Sequence, residues 1–89
     1  MKKIIFENSF KKNYLNRVKD NSFLKESMQN AVRIFLEDPY DPVLNNHELR
    51  GNLKGKRAFS ILDDLRIVYI ETNDYYIFLD IGSHKEVYG

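Results

Sequence analysis

The sequence predicts an α+β fold of order β-α-α-β-β-β, in which two N-terminal helices pack on one face of a small, mostly antiparallel sheet. Two observations predict it. Apolar residues recur at helical spacing in the first half of the chain, and three segments rich in β-branched and aromatic residues, separated by short turns, fill the second half. The 89 residues, of which 43% are hydrophobic, suit one compact domain spanning residues 1–89.

The chain opens with a short predicted strand from Lys2 to Phe6, because two β-branched isoleucines lie within it. Asn8 or Ser9 can cap a first helix, since their side-chain oxygens accept hydrogen bonds from backbone N–H groups. The apolar positions of this helix follow an i, i+4, i+8 spacing, which indicates a core-facing stripe: Phe10, Tyr14 and Val18.

A second predicted helix begins after residues 20–22, where Asp20, Asn21 and Ser22 break the pattern and offer a new cap. It runs to about Glu37, because Pro39 disfavours helical backbone in the residue before it. Six apolar residues fall on one face of this helix and are expected to pack in the core: Leu24, Met28, Ala31, Val32, Phe35 and Leu36.

Residues 38–55 are predicted to form a loop, since prolines, asparagines and glycines recur through them. Three strands follow, at residues 57–62, 65–71 and 75–81, joined by an Asp-Asp turn at 63–64 and a hairpin loop at 72–74. Gly82 ends the last strand, and a short tail runs to Gly89.

Side-chain alternation assigns the middle strand to two faces: Leu65, Ile67 and Tyr69 on one, and Arg66, Val68 and Ile70 on the other. Two helices can cover only one side of a small sheet. We therefore expect the second face to be partly open, with Arg66 on it.

Composition excludes several classes of protein. The chain has no cysteine, so it has no disulfide framework and no thiolate metal site. The apolar run near the N-terminus is only three residues long, too short for a signal peptide or a membrane span, which indicates a cytoplasmic protein without membrane contact. Two distant histidines do not make a zinc site, and we expect neither a metal nor a cofactor.

Basic residues cluster although the net charge is only +1. Residues 50–57 contain four cations and no acid: Arg50, Lys54, Lys56 and Arg57. This segment is either a phosphate-binding patch or a solvated basic loop. Arg57 and Arg66 lie at or in strands, where a guanidinium can pair with a phosphate and stabilise a pentacoordinate one. For Arg66, an ion pair with a nearby aspartate (Asp63, Asp64 or Asp80) is the competing interpretation.

The two histidines, His47 and His84, are candidates for proton transfer, because imidazole titrates near neutral pH. Both lie in segments next to predicted strands, although ordinary surface histidines would look the same. Tyr88 could stack on a base or donate a proton, or it could close the edge of the core. Lys85, beside His84, is a further candidate for phosphate binding.

Four segments resemble, in order, the RelE/ParE superfamily of bacterial toxins, in particular its RelE/StbE and YafQ-like branch. They are H-E-L-R-G at 47–51, K-G-K-R at 54–57, D-D-L-R-I-V-Y at 63–69 and I-G-S-H-K-E-V-Y at 81–88. The resemblance is specific over residues 46–89, and the helical half agrees in architecture.

The resemblance implies a type II toxin that cleaves mRNA, usually in the ribosomal A site, and a cognate antitoxin that covers it in a hetero-oligomer. It implies cleavage without a metal: the RNA 2′-hydroxyl attacks the adjacent phosphate and leaves a 2′,3′-cyclic phosphate and a 5′-hydroxyl. His47, Asp64, Arg66, His84 and Tyr88 fall at positions to which the family assigns catalytic, phosphate-contacting or terminal aromatic roles.

The chain also departs from the family. YafQ-like members carry a histidine where this chain has Ser60 and a tryptophan where it has Leu65, and RelE itself uses lysines in the strand that here contains Ala58 and Ser60. Two alternatives therefore stay open beside an mRNA endonuclease. One is a weak or inactive toxin that still binds its antitoxin, and the other is a ParE-like protein that binds DNA gyrase.

Overall fold

The computed structural model describes residues 2–88, except for the side chain of Tyr88. Within this range the chain forms the following elements in order: β1 (Lys3–Phe6), α1 (Asn8–Arg17), α2 (Ser22–Glu37), β2 (His47–Glu48), β3 (Arg57–Leu62), β4 (Leu65–Glu71), β5 (Tyr75–Gly82) and α3 (His84–Tyr88). Two 3-10 turns, Pro42–Leu44 and Gly51–Leu53, flank β2. The predicted α+β architecture with two N-terminal helices is confirmed.

The strands form one sheet in the order β1-β5-β4-β3-β2. β1 pairs with β5 in parallel, and the other three pairings are antiparallel. The helices α1 and α2 therefore form the crossover between β1 and the rest of the sheet, as a parallel pairing requires.

The starts of the two helices differ in their caps. The residue before α1 is Glu7, which makes no side-chain cap, so the prediction of a cap at Asn8 or Ser9 is wrong. Ser9 instead donates its hydroxyl to the backbone carbonyl of Leu79 and ties α1 to β5. The predicted cap of α2 is confirmed, because the Asn21 side chain accepts a hydrogen bond from the Leu24 N–H at 3.1 Å.

The main core lies between the helices and one face of the sheet. Phe35 of α2 is fully buried and stacks on Phe59 of β3, with ring centroids 4.5 Å apart. Tyr69 and Phe78 meet Phe35 edge-on at 5.0 and 5.8 Å, an arrangement that aromatic rings favour. The predicted stripes of both helices pack in or against this core, and the alternation predicted for β4 is confirmed.

The second face of the sheet carries a smaller apolar cluster. Leu49, Ala58 and Val68 are buried there, and Leu53, Leu79 and Val87 pack around them. The loop after β2 and α3 therefore cover part of this face, and the rest of it is open, as predicted. The short tail predicted after Gly82 contains a helix that was not predicted, since residues 84–88 form α3, whose Val87 packs on the sheet.

β2 was not predicted, because two residues are too few to show a period.

None of the helices in residues 2–88 is both long and apolar enough to cross a membrane.

Candidate functional site

Three of the predicted site residues meet at one end of the sheet: Asp64, Arg66 and His84, here called the Asp64 cluster. Asp64 lies in the turn between β3 and β4. Its Oδ1 accepts a hydrogen bond from the backbone N–H of His84 at 3.2 Å and lies 3.6 Å from Nη1 of Arg66. One carboxylate oxygen thus links the β3–β4 turn, the middle of the sheet and the start of α3.

Arg66 belongs to β4, in the middle of the sheet, and its side chain lies on the second face. It lies opposite Ser60 of β3 and Gly82 of β5 in the strand register. Its side chain is only 17% exposed, whereas that of Asp64 is 73% exposed. The Nε–H of Arg66 is buried, and no side chain or backbone group among residues 2–88 accepts a hydrogen bond from it. A buried donor without an acceptor is costly. The other N–H groups of the guanidinium can donate to an anion that enters from the groove, in charge-assisted hydrogen bonds.

An open groove of about 710 Å³ leads to Arg66. Its wall on one side comes from Val43 and Asn45, which precede β2, and on the other from the end of β3 and the turn after it: Ser60, Ile61, Leu62, Asp63 and Asp64. The groove exists because β2 pairs only with Arg57 and Ala58, which leaves the end of β3 without a neighbouring strand on that side.

His47 lies on the same face of the sheet as Arg66. It pairs with Ala58, whose other neighbour is Val68, and all three belong to one row across the second face. Its Nδ1 is 2.9 Å from the carbonyl oxygen of Asn45. Because a carbonyl can only accept, Nδ1 carries the proton in this contact, and in the neutral ring Nε2 is the basic nitrogen.

The strands next to the two histidines are not neighbours in the sheet. His47 lies on β2 and His84 follows β5, so β3 and β4 lie between them. Three strand spacings separate the two strands by about 14 Å. Arg66 lies on the intervening strand β4, on the same face as His47, and the backbone of His84 is tied to Asp64 beside it.

The basic loop is fixed beside the same face. Leu49 and Leu53 pack against the small apolar cluster, and the Leu49 N–H donates to the Lys56 carbonyl at 2.9 Å. Arg50 and Lys54 are exposed, and Lys56 is half-buried. Lys85 is exposed on α3. These cations can hold a polyanion that enters the groove.

Arg57 lies on the opposite, helix-covered face of the sheet. Its Nε donates to Oδ1 of Asn46 at 2.9 Å, and its guanidinium lies 5.3 Å from the ring centre of Tyr40. Asn46 in turn donates to the Tyr69 hydroxyl at 2.7 Å. Alternation in the paired strands puts Arg57 and Arg66 on different faces, so the phosphate-binding role predicted for Arg57 stays a prediction for a site other than the groove at Arg66.

Arg57, Asn46 and Tyr69 form a hydrogen-bonded network. Burial raises the pKa of the Tyr69 phenol above its ordinary value, and the hydrogen bond from Asn46 partly offsets that rise. This network ties Asn46, in the segment before β2, to Arg57 of β3 and Tyr69 of β4.

The Tyr88 side chain lies outside the described part of the chain, and its predicted role stays a prediction. Sequence reasoning missed Arg17, Ser83 and Glu86, which fix α3. The S-x-x-E pattern at residues 83–86 is the signal of a capping box and could have revealed the helix. No group of three possible metal-binding side chains occurs within the described residues.

Comparisons with known proteins bear on this arrangement. The family profile described as "Bacterial toxin of type II toxin-antitoxin system, YafQ" matches residues 2–89. The chain is similar to the crystal structure of YafQ from E. coli strain BL21(DE3), with 20% identity, a TM-score of 0.78 and full coverage of both chains. A comparison with curated protein sequences gives no significant match.

Two further structures share more sequence with this chain. The E. coli DinJ-YafQ complex contains a chain with 26% identity and a TM-score of 0.71, again with full coverage of both. A copper-bound mutant toxin from Helicobacter pylori is 32% identical with a TM-score of 0.73, over 98% of this chain and 99% of that one. These likenesses confirm the fold that the four sequence segments implied.

Proposed function

Because this chain belongs to the YafQ family of bacterial type II toxins, we propose that it is an endoribonuclease that cleaves mRNA on the ribosome, in the cytoplasm. The observation that carries the proposal is the placement of Arg66. This guanidinium belongs to a side chain that is only 17% exposed, lies at an open groove, and is on the same face of the sheet as His47. Such a group would bind the scissile phosphate.

The proposed reaction uses three groups. A histidine accepts the proton of the RNA 2′-hydroxyl as its oxygen attacks the adjacent phosphorus. Arg66 stabilises the charge of the pentacoordinate phosphate. The bond from phosphorus to the 5′-oxygen then breaks, and a second proton donor protonates that oxygen, which leaves a 2′,3′-cyclic phosphate and a 5′-hydroxyl.

The two histidines suit complementary parts of this scheme. The Nε2 of neutral His47 is the basic nitrogen, so His47 is suited to accept the 2′-hydroxyl proton. His84 would then protonate the leaving oxygen from the opposite side of Arg66. Asp64 holds the start of α3, and Tyr88 would orient the base. The chain's own groups thus supply base, acid and cation, which is why the proposal needs no metal.

The test is cleavage of a translating mRNA by purified protein, with the chemistry of the new ends determined. A 2′,3′-cyclic phosphate and a 5′-hydroxyl are the expected products. Ends that carry a 5′-phosphate would contradict the mechanism.

A cognate antitoxin is the second proposed partner. E. coli YafQ is found in complex with DinJ, and this chain covers the whole of that YafQ chain. We expect the antitoxin encoded beside this protein to co-purify with it as a hetero-oligomer and to abolish cleavage. Purified antitoxin that binds without reducing cleavage would contradict this expectation.

An inactive toxin that only binds its antitoxin is the competing function, and one observation favours it. Ser60 stands where YafQ-like relatives have a histidine, and it lies directly opposite Arg66 at the groove. The same cleavage assay separates the two, since an inactive protein would bind the antitoxin and leave mRNA intact.

A further inference from the structure

The helix that carries His84 is too short to be stable alone. α3 has five residues, and isolated helices of this length do not persist in water because nucleation is unfavourable. The orientation of His84 therefore depends on the contacts that hold α3 against the rest of the fold.

One set of contacts is a capping box at the start of α3. The Ser83 hydroxyl accepts the Glu86 N–H at 3.3 Å, while Oε1 of Glu86 accepts the Ser83 N–H at 2.8 Å. Two backbone donors at the start of the helix are satisfied in this way. The Glu86 carboxylate consequently has a fixed orientation.

The other oxygen of that carboxylate reaches a different helix. Oε2 of Glu86 forms an ion pair with Nη2 of Arg17, the last residue of α1. Both side chains are 42% exposed. A single carboxylate thus caps α3 and joins it to α1, which lies against β5.

Gly82 brings α3 close to the end of β5. A Cβ atom there would lie 3.3 Å from Cγ1 of Val87 and 3.4 Å from both Cβ and Oε1 of Glu86. Beyond this contact, Asp64 accepts the His84 N–H. α3 is therefore fixed at two places, by Asp64 beside the phosphate site and by Arg17 on the side of α1.

We propose that Arg17 is a positioning residue for His84. Through Glu86 it sets the orientation of α3, and with it the position of the imidazole relative to a phosphate at Arg66. Arg17 itself belongs to α1, outside the turn and the strand that carry Asp64 and Arg66. This inference rests on the proposed function for its kinetic consequence, although the positioning itself does not require RNA cleavage.

The first test compares Arg17→Ala, Arg17→Lys and the control Arg33→Ala in mRNA cleavage. Arg33 is a matched control, because it is exposed on α2 and its Nη1 lies 3.7 Å from Oε1 of Glu37. Arg33→Ala therefore removes one positive charge and one ion pair, as Arg17→Ala does. Arg17→Ala should lower kcat about three- to fivefold, the size expected for an exposed ion pair, with KM unchanged. Arg17→Lys should restore most of kcat, and Arg33→Ala should leave it unaltered.

A double-mutant cycle ties the effect to Glu86. Glu86→Gln keeps an oxygen for the Ser83 N–H and removes the charge that Arg17 pairs with. If Arg17 acts through Glu86, the double variant should be no slower than the slower single variant. Additive losses in kcat would overturn the proposed route.

A readout without RNA separates this inference from the proposed function. The imidazole ¹H–¹⁵N resonances of His84 should shift in Arg17→Ala and Glu86→Gln and stay in place in Arg33→Ala. If the wild-type protein does not cleave mRNA but these shifts occur, the proposed function fails and the positioning role stands. Unchanged His84 resonances in Arg17→Ala, with the melting temperature equal to that of Arg33→Ala, would overturn the inference.

Discussion

Asp64 accepts a hydrogen bond from the backbone N–H of His84 at 3.2 Å, although the two residues are 20 positions apart in the chain. The same carboxylate oxygen lies 3.6 Å from Arg66. Asp64 therefore ties the backbone of His84 to the strand that carries Arg66. In the proposed mechanism this contact gives Asp64 an orienting role, in which it never exchanges a proton with substrate.

The orienting role predicts a difference between two substitutions of Asp64. Asp64→Asn keeps an oxygen that can accept the His84 N–H, so its kcat for mRNA cleavage should stay within about threefold of wild type. Asp64→Ala removes that acceptor and should lower kcat about tenfold, equivalent to about 1.4 kcal/mol. Single-turnover cleavage at neutral pH measures both. Equal, large losses in the two variants would instead indicate that Asp64 itself transfers a proton.

The two strand arginines should behave in opposite ways. Arg66→Ala should reduce cleavage about 10²- to 10³-fold with little change in the melting temperature, because it removes transition-state stabilisation. Arg57→Ala should leave cleavage per folded molecule intact and destabilise the fold by about 1 kcal/mol, since it breaks the bond to Asn46. Thermal unfolding and cleavage rates of both proteins decide this, and the reverse pattern would contradict the assignment of faces.

Restoring the histidine of YafQ-like relatives should raise activity. In Ser60→His the new imidazole would face the groove directly opposite Arg66, on the second face of the sheet. A further base or acid there should increase cleavage by about tenfold or more, within the range that general acid–base groups contribute. The control Gln29→His, on the exposed surface of α2, should not. A Ser60→His rate equal to wild type would show that Ser60 is not at the reacting phosphate.

Stability should fall steeply above pH 10, and Tyr69 should account for part of the loss. Burial raises its folded pKa above the unfolded value of 10.0. Below that value the phenol is neutral in both states and its contribution is fully present. As pH rises from the unfolded pKa through the folded one, only the unfolded chain loses the proton, so stability is lost. Tyr76, whose pKa is raised chiefly by burial and then by Glu71, adds to the same trend.

Tyr69→Phe removes the titrating group and should flatten that decline, while it lowers stability near neutral pH by about 1 kcal/mol through the lost contact with Asn46. Urea unfolding between pH 8 and 11 measures both effects. Curves for the variant and wild type that run parallel across this interval would contradict the assignment.

The elements with strong local signals could be predicted from sequence. The periodic stripes of α1 and α2, the Asn21 cap and the alternation along β4 depend on neighbours within one element, and the structure confirms them. The two-residue β2 and the five-residue α3 depend on distant partners. β2 exists because β3 offers it an edge, and α3 because Glu86, Arg17 and the second apolar cluster hold it.

The candidate site, like the fold, could be predicted only in part from the sequence. Basic residues and histidines could be picked out as candidates, and alternation placed Arg66 on the partly open face. The sequence did not show that Arg57 faces the helices, because strand register decides which face each arginine occupies. Nor did it show that Asp64 bonds to the start of α3, since that contact exists only once β4 and β5 are paired.

The most direct test of the account is expression of wild type and His84→Ala without antitoxin, with growth followed and mRNA 5′ ends mapped. Wild type should arrest growth and create new 5′-hydroxyl ends inside translated frames. His84→Ala, expressed and folded to the same level, should lose both, because removal of a general acid or base costs about 10²- to 10⁴-fold in rate. Arrest and new ends that persist in His84→Ala would contradict the central claim, and arrest without any mRNA cleavage would point to gyrase instead.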